Sequence, residues 1–190
     1  MATLAQLCAD VFMVRCRSKT REARLAMTYF ITVPSPIGDL TLTGDGEALT
    51  GLYFSTGAKA RTADPVWLPD KGTLAGAVTQ LRAYFAGELR MFDLPLRPRA
   101  TPFQSRVLRA LGEIPYGALR SYKDIAEAIG QPKAFRAVGT ANGNNPIAIV
   151  IPCHRVVGSN GTLTGFGGGL AAKRFLLDLE SRNQGLRSSN

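Results

Sequence analysis

Apolar residues change their spacing partway along the chain, and that change decides which architectures are open to it. Between Met27 and Phe54 they fall in short runs broken by turn signals. "TYFITV" leads into the turn "PSPIGD", "LTLTG" alternates apolar and polar residues, and "ALTGLYF" follows "GDGE" as the third strand of a meander. After a loop rich in Pro, Gly and Asp, residues Leu74, Val78, Leu81 and Phe85 recur at helical spacing. Residues 27–97 therefore read as a small N-terminal α/β domain, and "RPRATP" at 97–102 as a linker.

Helical signals dominate from there on, so the fold class is α/β (α+β) with a helical C-terminal domain over 98–182 and a tail at 183–190. Thr101 is an N-cap candidate with Pro102 at the first helical position, and Phe103, Val107, Leu108 and Leu111 form one apolar face. "SYKDIAEAIGQPKAFRAVGTANG" predicts a helix from Ser121, a turn at Gly130 to Pro132 and a second helix from about Lys133. That is the layout of a helix-turn-helix, which a helical hairpin without DNA contact shares. The second helix is nearly bare of bulk, with Ala134, Ala137, Gly139, Thr140, Ala141 and Gly143, although glycine costs about 1 kcal/mol against alanine in a helix interior. Close approach of that backbone to something must repay the loss. Beyond Lys133 at its start, Arg136 is its one long cationic side chain, so the helix suits DNA gripped by shape and backbone, with Arg136 as a probe or wedge.

"NPIAIVIPCHRVVG" predicts a short buried strand with Cys153 at its end. "SNGTLTGFGGG" follows as a turn and a glycine-rich loop, and "LAAKRFLLDLE" as the final helix. Glu180 lies four residues after Leu176 and three after Leu177, on the apolar face, where a carboxylate needs a partner. A frayed helix end would instead leave it at the surface.

Charge narrows the function. Of the net +9, residues 100–190 carry +6 and residues 27–99 carry none, as in a basic module joined to a neutral one, which points to a polyanion such as nucleic acid. Residues 1–26 are basic and lack Gly and Pro. They read as a loosely ordered extension, or as a start placed too far upstream of Met27, and less well as a targeting peptide. Cys8, Cys16 and Cys153 are an odd and sparse set that suits a reducing compartment, here the cytoplasm, and spacing for a structural zinc site is absent. No apolar run approaches the roughly 18 to 20 residues of a membrane span.

His154, the only histidine, directly follows Cys153. Neighbours in an extended segment face opposite ways, so direct contact is not expected. A turn after Cys153, or an intervening water, lets His154 act as a base with Glu180 orienting the imidazole. A buried inert thiol is the alternative.

"PCHRV", preceded by "RAVGTANGNNP" and followed by "GFGGGLAAKRFLLDLE", resembles the O6-alkylguanine-DNA alkyltransferase family, also called methylated-DNA–protein-cysteine methyltransferases. The resemblance runs from about Met27 to Glu180 and is strongest from Phe103 onward. It implies a ribonuclease-H-like N-terminal domain and a C-terminal domain in which Cys153 takes the alkyl group from O6 of guanine, and by extension from O4-alkylthymine, once and irreversibly. It further implies that His154 deprotonates Cys153 through a bound water, with Glu180 completing the relay. Tyr122 would press on the phosphate 3′ to the lesion and donate a hydrogen bond to the flipped base. Arg136 would fill the vacated stack, Asn145 would tie the second helix to the active-site segment, and Val156, Phe166 and Gly167 would line the base pocket. The small face at Ala134, Ala137, Gly139 and Thr140 would enter the minor groove of double-stranded DNA. The implied protein is a monomer without cofactor or metal. Two departures stand out: Phe166 replaces a tyrosine that many members carry, and the histidines of the zinc-binding members are missing. A non-catalytic protein that flags alkylated DNA is the rival reading, and a cysteine hydrolase a weaker one, since no separate histidine exists.

Overall fold

The computed structural model describes residues 27–185, so the readings made for residues 1–26, and those for Cys8 and Cys16, lie outside the described residues. Its first half is a four-stranded sheet in the order β3-β2-β1-β4. Strands β1 (Tyr29–Val33), β2 (Leu40–Gly44) and β3 (Leu49–Phe54) form the expected antiparallel meander, with Tyr29 opposite Gly44 and Leu40 opposite Phe54. The short β4 (Leu68–Pro69), parallel to β1, was not foreseen.

Although β2 alternates in sequence, it is buried on both faces. Leu40 and Leu42 point into the core, while Thr41 and Thr43 share the other face with Phe30 and Tyr53. The loop between β3 and β4 folds back over that outer face: Trp67 lies 6.2 Å from both the Phe30 and Tyr53 rings, and the Arg61 guanidinium sits 4.9 Å from the Tyr53 centroid. Gly51 makes room for the arrangement, since a Cβ there would lie 2.5 Å from the Tyr53 ring.

Helix α1 (Ala75–Phe85) packs its Ala77, Val78, Leu81 and Tyr84 face inward, so Tyr84 is its deepest ring and the expected Phe85 is only half-buried. The return segment is anchored on β3 through Leu49 N–H to Pro95 O (2.8 Å) and Arg97 N–H to Leu49 O (2.9 Å). The Arg97 side chain pairs with Asp45 and Glu47.

Helix α2 (Pro102–Gly112) begins with a capping box: the Gln104 N–H donates to Thr101 Oγ1 (3.3 Å) and the Thr101 N–H donates to Gln104 Oε1 (2.9 Å). Helix α3 (Tyr122–Ala128) repeats the device with Ser121 and Asp124. The turn after it passes through Gly130 at φ +71°, where a side chain would be strained, then a short 3-10 turn at Pro132–Ala134, into α4 (Phe135–Gly143). The helix-turn-helix layout is therefore present.

The buried strand expected in "NPIAIVIPCHRVVG", ending at Cys153, is not. This run is buried, and its backbone closes on itself: Ile151 N–H bonds Ile147 O (3.0 Å), Val150 N–H bonds Ala148 O (2.8 Å), and Ile149 takes φ +70°. A short apolar run reports burial without distinguishing a strand from a compact turn, which is why the reading failed. Pairing resumes at β6 (Val156–Val157), parallel to β5 (Arg120–Ser121), and α5 (Gly169–Gly185) closes the described chain.

Both halves share one core, in which Leu42, Leu52 and Leu81 join Leu111, Ile147 and Leu176. Helix starts are set locally, so Thr101→Ala should lower unfolding free energy by about 1 kcal/mol in chemical denaturation while leaving thiol reactivity unchanged.

Candidate active site

Cys153, His154 and Arg155 form one turn of 3-10 helix, and all three side chains are buried. Successive side chains on such a turn diverge by about 120° rather than 180°, which replaces the geometry expected of a strand. His154 Nε2 lies 2.8 Å from Oε1 of Glu180 on α5. Glu180 is wholly inaccessible, so the inward reading holds and the frayed surface alternative does not.

A buried carboxylate needs donors, and Glu180 collects them from several segments. Arg155 donates twice, Nε to Oε2 and Nη2 to Oε1, each at 2.9 Å. The Gly117 N–H donates to Oε2 at 2.8 Å, and the Tyr84 hydroxyl to Oε1 at 2.8 Å. Burial raises the cost of its charge, but the hydrogen bonds from His154 and Arg155 outweigh that and hold the carboxyl at about 2. An ionised carboxylate only accepts, so His154 must carry its proton on Nε2. Nδ1 is then the basic nitrogen; it is buried and has no hydrogen-bond partner among the described residues. Burial also lowers the imidazole below its ordinary range despite Glu180, which keeps it neutral and able to accept a proton.

Cys153 borders a cavity of about 380 Å³ that is also lined by Phe54, Asn145, Ala148, Phe166 and Gly167. Burial pushes its thiol up, while the Asn145 side chain and the Lys173 charge pull the other way. Such a thiol stays protonated at neutral pH and needs a base. Asn145 joins the end of α4 to the segment before the cysteine: its Nδ2 donates to Ile151 O (2.8 Å) and its Oδ1 accepts from the Ile147 N–H (3.0 Å). Phe166 is buried edge-on against Phe54, with centroids 5.2 Å apart, and lies 6.4 Å from the His154 ring.

The remaining candidates sort by exposure. Arg136, Ala137 and Thr140 are exposed on α4, with Ala134 and Gly139 half-buried beside them. Tyr122 lies over Gly139, and its hydroxyl is 2.7 Å from Thr164 Oγ1. The Val156 carbonyl accepts from Lys173 Nζ at 2.6 Å, and the Gly167 carbonyl from the Lys59 N–H at 3.1 Å.

Arg155, Lys173 and Tyr84 were not singled out from the sequence. Lys173 is fully buried and also donates to Thr164 O (3.1 Å), which ties the glycine-rich loop to β6. It precedes Glu180 by seven residues on the same helix, so the spacing that turned Glu180 inward was available for it too. Among the described residues no cluster of His, Cys, Asp and Glu could hold a metal ion, and no helix is long and apolar enough to cross a membrane.

Two family models match the chain. One, for the 6-O-methylguanine DNA methyltransferase ribonuclease-like domain, covers residues 28–98, and the other, for the DNA binding domain of the same family, covers 102–182. A methylated-DNA–protein-cysteine methyltransferase of Mycobacterium tuberculosis is 56% identical over 156 residues, covering 81% of this chain and 93% of the relative. The protein of that name from Methanosarcina barkeri is 51% identical over 155 residues, covering 82% and 98%. The crystal structure of the M. tuberculosis O6-methylguanine methyltransferase superposes with a TM-score of 0.75 at 54% identity, covering 83% of this chain and 94% of that one. A complex of the M. tuberculosis protein with DNA gives 0.76 at 55% identity, covering 82% and 94%.

The Glu180 carboxyl sits below its ordinary 4.5 in the folded chain, so its stabilising contribution is complete above that value and is lost as pH falls from 4.5 towards about 2. Denaturation in pH steps should show this loss for the natural chain. Glu180→Gln should lack that component and should be less stable by about 3 kcal/mol at neutral pH, because Arg155 is left buried without its counter-charge.

Proposed function

The chain belongs to the 6-O-methylguanine DNA methyltransferase family, and on that premise we propose that it repairs DNA by moving the alkyl group of O6-alkylguanine onto Cys153. The observation that carries this reading is a buried thiol bordering a cavity, beside an imidazole whose Nδ1, made the basic nitrogen by the Glu180 hydrogen bond, has no partner among the described residues.

In the proposed reaction a water shared by Sγ and Nδ1 passes the thiol proton to His154. The sulfur then attacks the alkyl carbon, the S–C bond forms, and the C–O6 bond breaks with its electron pair going to the purine. The restored guanine takes up the proton, so atoms and charge balance. The product is a thioether, which no step at this site can hydrolyse, so each chain acts once.

DNA is held by the second half, residues 98–182, with residues 27–97 as the N-terminal unit. Exposed Ala137 and Thr140, beside half-buried Ala134 and Gly139, let the α4 backbone come close in the minor groove, and exposed Arg136 fills the stack when the base swings out. Tyr122 faces the phosphate 3′ to the lesion and bonds the extruded base, whose edge is read around Val156, Phe166 and Gly167. Asn145 keeps the DNA-facing helix in register with the cysteine segment. O4-alkylthymine is a second substrate, and the protein works as a monomer in the cytoplasm. The rival, a DNA-binding protein that only flags damage, does not need a nucleophile, and Cys153 with its base argues against it.

Incubation with an oligonucleotide carrying O6-methylguanine, followed by intact and peptide mass spectrometry, should find one methyl on Cys153, at most one equivalent repaired, and none with Cys153→Ser. Turnover beyond one equivalent, or methylation elsewhere, would refute the reading. Arg136→Ala should reduce repair of duplex DNA far more than reaction with free O6-benzylguanine; equal loss on both would exclude the stack-filling role.

A further inference from the structure

We propose that Tyr84, contributed by the N-terminal half, is a positioning residue for the proton relay, its hydroxyl fixing Glu180 Oε1 beneath His154 and restraining the basicity of that imidazole. The inference rests on the alkyl-transfer reading and deepens it, because it makes the first half of the chain part of the chemistry rather than only a scaffold.

Geometry leaves the hydroxyl one acceptor. Tyr84 is fully buried, and its ring is held at centroid distances of 5.3 Å from Phe92 and 6.1 Å from Tyr116. The hydroxyl lies 2.8 Å from Glu180 Oε1 and 3.5 Å from His154 Nε2. Nε2 already carries the proton it gives to Oε1, so it cannot accept from Tyr84. Burial and the neighbouring carboxylate push the phenol far up, so Tyr84 remains a donor wherever the protein is folded. Oε1 thus takes three hydrogen bonds, from Tyr84, His154 and Arg155.

Sharing has an electrostatic consequence. Each donor draws charge from Oε1, and what is drawn away no longer stabilises an imidazolium. His154 is faced by Glu180 and Lys173 from α5, by Arg155 on its own turn and by Tyr84 from α1. Of these, Glu180 alone favours its protonated form. Removing the Tyr84 hydroxyl strengthens the pull of Glu180 on His154 and frees Oε1 to shift.

His154 is the only histidine, so its imidazole signals are read without overlap in 15N-histidine-labelled protein. In Tyr84→Phe the ring packing is retained. Its His154 should titrate at higher pH than in the natural chain, and the acid limb of the rate of Cys153 alkylation by free O6-benzylguanine should move the same way. At neutral pH that rate should fall about tenfold, the scale of one hydrogen bond to a charged group. Phe92→Leu loosens the same ring cluster but keeps the hydroxyl, and should leave the His154 titration in place. In the natural chain the Tyr84 hydroxyl proton should exchange slowly and show a nuclear Overhauser contact to the His154 Nε2 proton. An unmoved titration and rate profile in folded Tyr84→Phe, an equal displacement in Phe92→Leu, or absence of that contact would overturn the proposal. A natural chain that fails to alkylate Cys153 would instead overturn the function, leaving the hydroxyl contact standing.

Discussion

A single negative charge placed out of reach of water organises this molecule. Leaving Glu180 unpaired would be prohibitive, and its oxygens are satisfied only when α1, the loop before β5, the 3-10 turn at Cys153 and the last helix converge. Donors spread from residue 84 to residue 155 make the carboxylate a locating pin for both halves of the chain. Hydrophobic contact alone tolerates sliding; a bidentate guanidinium and a backbone amide on one carboxylate do not.

The same pin sets the charge state of the groups around Cys153. Burial, helped by the Arg155 charge, lowers His154 despite Glu180, so the carboxylate orients the imidazole without charging it, and burial keeps the thiol protonated. Resting Cys153 is thereby less exposed to oxidation than a surface thiolate. Reactivity has to be drawn out by a partner that brings an electrophilic carbon to the cavity. Lys173, buried between β6 and the glycine-rich loop, ties the two together while opposing any proton gain by the imidazole.

Much of this could be read from residues. The meander was legible because β1 to β3 are short runs separated by turn residues, and the start of α2 because Thr101 caps it with Pro102 at its first position. Glu180 was legible from its spacing to Leu176 and Leu177. What escaped had no local signal. Leu68–Pro69 is too short to show a period, and its partner β1 lies far away in sequence. The 146–151 run is apolar throughout, so nothing along it announces Ile149 turning to positive φ. Tyr84 looks like any core aromatic on an amphipathic helix. Only the meeting of two distant segments shows that its hydroxyl has a buried charge to satisfy.

The order in which these pieces are synthesised adds a consequence. A chain folds from its N-terminal side as it leaves the ribosome, and Cys153 is made 27 residues before Glu180. Until α5 docks, Tyr84, Arg155 and the Gly117 amide have no common acceptor, and His154 has nothing to choose its tautomer. A nascent or truncated molecule would display Cys153 beside an imidazole that nothing orients. Competence for a reaction that consumes the protein is thus withheld until the whole fold exists to be spent.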